Sequence, residues 1–194
     1  MAKLGKRTIR IPEGVKVYLE GSAVRLEGPE GKLTLAIPPS LSVVLDKERV
    51  KVAFSSETLN LNTKIQRKLE ALRGLFYSLL NSRIRSVKES FTKGLEIVGV
   101  GYQAEVKGKT LVLKVGFSHP VSLSIPEGIK VKTEKNIISV SGCNPEEVGN
   151  FAARIRAVRP PEPYGGKGIR YQGEYVRHKV GKAAGAAGAR GEAK

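Results

Sequence analysis

An internal repeat constrains this chain more than any other feature. Short runs of alternating apolar and polar residues, broken by turn residues, lead into a long stretch of helical periodicity, and the same order then recurs. Val15, Val17 and Leu19 alternate with polar neighbours, Glu20-Gly21-Ser22 interrupts, and Ala23 to Glu27 resumes the pattern of a hairpin. Gly28-Pro29-Glu30-Gly31 marks the next turn, after which Leu33, Leu35 and Ile37 alternate up to Pro38-Pro39. Leu41 to Leu45 and Val50 to Phe54 flank Asp46-Lys47-Glu48-Arg49. Beyond them Leu61, Ile65, Leu69, Leu72, Phe76 and Leu79 fall three or four apart. That spacing predicts an amphipathic helix over 58–82, with Lys64, Arg67 and Lys68 on its polar side. Gly74 costs such a helix about 1 kcal/mol relative to Ala without abolishing it.

The second half runs the same way. Tyr102 to Val106, Leu111 to Val115, Val121 to Ile125, Ile129 to Thr133 and Ile137 to Ser141 are short alternating runs separated by turn residues. A helix follows with Asn144 as its cap, Pro145 in the first helical position and Glu147 three after the cap. Val148, Phe151, Ala152 and Ile155 form its apolar face, and Pro160-Pro161 ends it. A shift of 88 places Ile37-Pro38 on Ile125-Pro126, Val43 on Val131, Lys47 on Lys135 and Val52 on Val140. The expectation is an α+β architecture of two duplicated domains, each an antiparallel sheet packed on one helix. The limits read as a basic arm over 1–10, a first domain over 11–82, a second over 83–159 and a basic extension with an Ala/Gly tail over 160–194.

Charge indicates what such units would meet. The 194 residues include 34 Lys plus Arg and 18 Asp plus Glu, a formal net charge of +16. Residues 1–10 carry +4, 64–93 carry +6 and 159–194 carry +5, leaving +1 for all the rest. Near-neutral folding units joined to cationic arms are the electrostatic footprint of a polyanion-binding protein, and solubility alone would need far less charge. No run approaches the roughly 18 apolar residues that span a bilayer, and the basic N-terminus leads into an interrupted strand pattern where a signal peptide would have its apolar stretch. The expected location is therefore the cytoplasm. Cys143 has no partner for a disulfide, and the two separated histidines build no metal site with it.

Several strings invite an enzymatic reading and fail on context. Gly99-Val100-Gly101-Tyr102-Gln103-Ala104 fits a dinucleotide fingerprint only if a helix follows, and a strand pattern follows instead. Those glycines read as a bulge or a close backbone contact. Gly108-Lys109-Thr110 lacks the first glycine of a phosphate loop, since position 103 is Gln103. His119 lies in a turn, Phe117-Ser118-His119-Pro120, with no nucleophile beside it. A nucleotide-dependent enzyme remains the alternative class, with no catalytic residues, cofactor or small-molecule substrate to name.

The segment after the second helix carries the strongest chemical signal. From Arg159 through Pro160-Pro161-Glu162-Pro163-Tyr164-Gly165-Gly166-Lys167-Gly168-Ile169-Arg170-Tyr171, prolines stiffen the path, glycines expose backbone N–H groups, and cations alternate with aromatics. Lys and Arg suit phosphate oxygens, and Tyr164 and Tyr171 suit bases or sugars. Arg177, His178, Lys179 and Lys182 extend the charge, as Lys3, Lys6 and Arg7 do at the other terminus.

At these residues the chain resembles a known family. Pro161 to Tyr171 with Val176-Arg177-His178-Lys179, Leu95 to Tyr102, Gly116-Phe117-Ser118-His119-Pro120 and Ile11-Pro12-Glu13-Gly14-Val15 resemble, in order and spacing, the L6 family of bacterial large-subunit ribosomal proteins. The resemblance covers all but the last dozen residues. It implies two duplicated sheet-plus-helix domains and a non-enzymatic constituent of the large ribosomal subunit. It further implies binding to large-subunit ribosomal RNA around the sarcin-ricin stem, on the factor-binding side, beside neighbouring ribosomal proteins and away from any membrane. In the family the C-terminal domain and tail supply much of the RNA contact. Where the family usually has Lys, this chain has Gly165, so one phosphate contact is missing or supplied elsewhere. The Ala/Gly tail is longer than is typical for the family.

Overall fold

A computed structural model describes residues 8–46, 48–55, 63–179 and 181. The chain divides into two compact units, Met1–Phe91 with Ser141–Glu147, and Thr92–Val140 with Val148–Lys194.

Unit 1 contains β1 (Thr8–Arg10), β2 (Lys16–Glu20), β3 (Ala23–Gly28), β4 (Gly31–Ala36), β5 (Leu41–Leu45), β6 (Arg49–Phe54) and α1 (Thr63–Lys88). Its strands form two antiparallel sheets of three, ordered β1-β6-β5 and β2-β3-β4. The inward residues of both sheets, among them Ile9, Val24, Leu26, Val50 and Val52, make one core with Phe76, Leu80, Ile84 and Val87 of α1. Each such burial contributes about 1.5–3 kcal/mol relative to exposure. Ile84 and Val87 keep the apolar stripe in phase, so the helix runs on to Lys88, and the boundary expected between residues 82 and 83 lies inside it. The expected start at residue 58 falls outside the described residues. Arg83 on the added turns donates to the Thr34 carbonyl oxygen at 2.8 Å, tying α1 to β4.

Unit 2 contains all or most of β7 (Phe91–Val98), β8 (Gln103–Lys107), β9 (Thr110–Lys114), β10 (Val121–Ser124), β11 (Ile129–Glu134), β12 (Ile137–Gly142), α2 (Pro145–Val158) and β13 (Gly168–Tyr171). Its sheets are ordered β10-β9-β8 and β11-β12-β7-β13. Apart from β13, this is the topology of unit 1: β6 maps onto β12 and β5 onto β11 at a shift of 88, while β2 maps onto β8 at 87. The register repeats as well, with Lys16 opposite Glu27 in one unit and Gln103 opposite Lys114 in the other. The strands of each half thus share two small sheets, and the duplicated α+β order stands. The cap of α2 forms as the sequence expects: the Glu146 N–H donates to Asn144 Oδ1 at 3.2 Å, and Asn144 Nδ2 donates to Glu147 Oε1 at 3.0 Å. Val148, Phe151, Ala152 and Ile155 are its buried face.

Candidate nucleic-acid interface

The basic C-terminal segment is built onto unit 2. Gly168 to Tyr171 pairs antiparallel with β7, Gly168 opposite Val98 and Tyr171 opposite Leu95, and Ile169 is fully buried. The reading of 160–194 as an extension beyond the second domain includes no strand here; a glycine-led run of four residues is too short for alternation to reveal it. Gly168 has φ +142°, and a Cβ there would stand 2.6 Å from the Pro160 carbonyl oxygen, so only glycine allows the strand to start so close to the proline run. The Ile169 N–H donates to the Arg159 carbonyl oxygen at 2.8 Å.

Between the prolines and β13 the chain closes a tight loop. The Glu162 N–H donates to the Lys167 carbonyl oxygen at 2.9 Å, and the Gly166 N–H to the Glu162 carbonyl oxygen at 3.0 Å. After β13 the chain turns and comes back. The Lys179 N–H donates to the Pro163 carbonyl oxygen at 2.9 Å, and His178 Nδ1 lies 3.4 Å from the Tyr164 carbonyl oxygen. Tyr164, Lys167, His178 and Lys179 thereby share one patch, with Tyr164 58% exposed. The side chains of Lys167, Arg177 and Lys179 are exposed and make no ion pair among the described residues.

Two further loops stand at the same end. Val98, opposite Gly168, leads into the Gly99-Val100-Gly101 turn. A Cβ on Gly99 would meet the Tyr102 ring at 2.7 Å, and one on Gly116 would meet it at 3.1 Å, so this ring joins the turn to the Gly116–Pro120 loop. Gly99 of the apparent dinucleotide string therefore serves close packing, and Gly101, at φ +76°, a left-handed turn. Phe117 and His119 stack at 6.4 Å between centroids, and the Arg159 guanidinium lies 5.3 Å over the Phe117 ring.

Not every expected contact residue is free. Arg170 faces Glu96 across the ladder, its Nε and Nη2 donating to Glu96 Oε2 at 3.0 and 2.9 Å. Tyr171 has the Arg156 guanidinium 5.7 Å and the Lys93 ammonium 5.9 Å from its ring centroid, so the ring serves an internal cluster. Arg156 also grips Glu174 through Nε at 3.1 Å and Nη2 at 2.6 Å, and the Tyr171 N–H donates to Glu174 Oε2 at 2.9 Å. The Arg156 hydrogen bonds, then that N–H, hold the Glu174 carboxyl below the usual range; Glu174 in turn raises Arg156. Lys3, Lys6, Arg7 and Lys182 lie outside the described residues. In unit 1, Arg73 contributes nothing to the surface charge of 64–93, because it is 8% exposed with its guanidinium 4.3 Å over the Phe54 ring.

Two exposed groups escaped the reading of the sequence. Val100, 95% exposed, tips the β7–β8 turn, and Tyr175, 86% exposed, follows the Glu174 clamp. The available signals were a large apolar side chain between two glycines for Val100 and a tyrosine two residues after Gly173 for Tyr175. The arrangement offers unpaired cations and accessible rings on a rigid base, which suits a phosphate backbone with nearby sugars and bases. Among the described residues no group of three or more His, Cys, Asp or Glu could hold a metal ion, and no helix is long and apolar enough to cross a membrane.

Comparison with known proteins agrees with this geometry. Residues 98–172 match the family described as ribosomal protein L6. A protein of Thermosynechococcus vestitus called large ribosomal subunit protein uL6 is 46% identical over 191 residues, covering 94% of this chain and 98% of its own. Proteins of the same name from Acaryochloris marina, 47% identical, and Moorella thermoacetica, 44% identical, each cover 94% of this chain, and 98% and 96% of their own lengths. With identity at this level over nearly the whole length of each protein, and with the resembling motifs seated in the duplicated units, the chain belongs to the L6 family and is a non-enzymatic protein of the large ribosomal subunit.

Proposed function

We propose that the loop end of unit 2 binds large-subunit ribosomal RNA near the sarcin-ricin stem, on the factor-binding side, and fixes adjacent RNA helices in one arrangement. The observation that carries this reading is the set Lys167, Arg177 and Lys179: three exposed cations without ion pairs among the described residues, on segments held by backbone hydrogen bonds. Their charge lowers the repulsion between neighbouring phosphates. Because the 162–167 loop and the returning chain are fixed to each other and to β13, the cations keep set distances, which favours one arrangement of the RNA over others. Tyr164 adds an accessible ring for a sugar or an unpaired base.

Chemical footprinting of the full chain on a large-subunit RNA fragment containing the sarcin-ricin stem tests the proposal. Protection of the backbone along that stem, lost with Lys167→Ala/Arg177→Ala/Lys179→Ala, is the expected result. Protection confined to other helices, or unchanged by the triple substitution, overturns it.

A further inference from the structure

Each unit carries a shallow groove at the same place in its fold, and the two copies differ in charge. In unit 1 a groove of about 280 Å³ is lined by Leu19, Ile37, Leu41 and Val43, with Ser22 and Ser42. In unit 2 the positions 87 or 88 further on are Val106, Ile125, Ile129 and Val131, with Lys109 and Lys130 where the serines stood, and the groove measures about 620 Å³. Lys132 lines it too, against a single acid, Glu127. Both copies have an aliphatic floor; only the second has lysines.

We propose that the groove of unit 2 docks an acidic, extended segment of a partner protein, with carboxylates meeting Lys109 and Lys132 and one large apolar side chain resting on the aliphatic floor. Two observations favour a polypeptide over RNA. No aromatic ring and no arginine lines the groove, so nothing there offers a base a stacking plane, and the aliphatic floor is useless to a phosphate chain. The groove is bordered by β11 and β8, the outer strands of their sheets, whose unpaired edges carry backbone groups that a second chain can use. Lys109 and Glu127 approach only to 3.9 Å with both side chains at least 90% exposed, so that contact leaves Lys109 available to a better partner. None of these residues belongs to the C-terminal patch, and the inference stands or falls separately from the RNA reading.

The test is fluorescence anisotropy with the full chain and a labelled peptide carrying glutamates around one leucine. Its comparators are the same peptide with Ser for Leu, and a single-stranded oligouridylate of equal charge. Lys109→Glu/Lys132→Glu is expected to weaken the glutamate-leucine peptide about tenfold or more at low salt. Lys109→Gln/Lys132→Gln should do so by less, and thermal melts should show both variants folded. The Ser peptide should bind wild type more weakly than the Leu peptide. Equal binding of the Leu and Ser peptides, peptide affinity indifferent to the charge reversal, or a larger loss for the oligouridylate than for the peptide would each overturn the proposal, the last assigning the groove to nucleic acid.

Discussion

Lys167 and Arg170 stand three residues apart in one basic segment, and the structure gives them opposite duties. Arg170→Ala removes a guanidinium that reaches Glu96 Oε2 through two nitrogens, with side chains 34% and 27% exposed. At that exposure the pair is screened, so its loss should cost about 1 kcal/mol rather than the 3–5 kcal/mol of a fully buried pair. In a unit of this size that lowers the melting temperature by about 4–8 °C. Lys167→Ala deletes an exposed, unpaired ammonium and should change stability by no more than about 0.5 kcal/mol. Toward RNA the order reverses. Each neutralised phosphate contributes about 0.7 to 0.9 to the slope of log affinity against log salt, so Lys167→Ala should flatten that slope by about that much. Arg170, whose charge Glu96 already offsets, should flatten it by less than half as much. Thermal melts and salt titrations of the two variants against the sarcin-ricin fragment give both quantities, and the Glu96→Ala/Arg170→Ala cycle should return a coupling of about 0.5–1 kcal/mol. Equal slope changes for the two variants, with the melting temperature of Arg170→Ala unchanged, would show that the guanidinium faces phosphate and not Glu96.

Gly168→Ala should strain the entry to β13 by about 1–3 kcal/mol and loosen buried Ile169, lowering the melting temperature by roughly 10 °C and RNA affinity with it; an unchanged melt would contradict the close approach to Pro160. Glu174 has its folded-state value lowered, so its contribution is present above its ordinary value of 4.5 and is lost as pH falls through the folded-state value. Melts of Glu174→Gln across pH should therefore lie below wild type near neutrality and converge with it in acid; a gap that widens in acid would reverse the assignment. Gly165→Lys should be accommodated, since a Cβ there meets only Glu162 Oε2 at 3.7 Å and Lys167 Cγ at 3.9 Å. It should steepen the salt slope by about 0.7–0.9, restoring the cation usual in the family, and an unchanged slope would place that side chain away from phosphate.

Much of the fold was legible because the signals were local and periodic. The shift of 88 found from a few apolar matches is the shift that relates β5 to β11 and β6 to β12, and the Asn144 cap followed from three residue types in a fixed order. The division of each half into two sheets was not legible, since which strands pair is decided by contacts far apart in sequence. The same limit hid β13 and with it the pairing of Arg170 with Glu96, 74 positions away. Charge counting treated every cation alike. Burial removed Arg73 from the surface and ion pairing occupied Arg156 and Arg170, whereas Lys167, Arg177 and Lys179 stayed free of ion pairs among the described residues. Tyr164 and Tyr171 likewise looked equivalent, until the cation pair around Tyr171 drew that ring into the fold.

The most direct test of the RNA-binding claim is the salt dependence of affinity for the sarcin-ricin fragment, wild type against Lys167→Ala/Arg177→Ala/Lys179→Ala. The account predicts that the triple variant melts with wild type yet has a log–log slope shallower by about 2 to 2.7. A folded triple variant with the wild-type slope and affinity would mean that the loop end of unit 2 does not face the RNA.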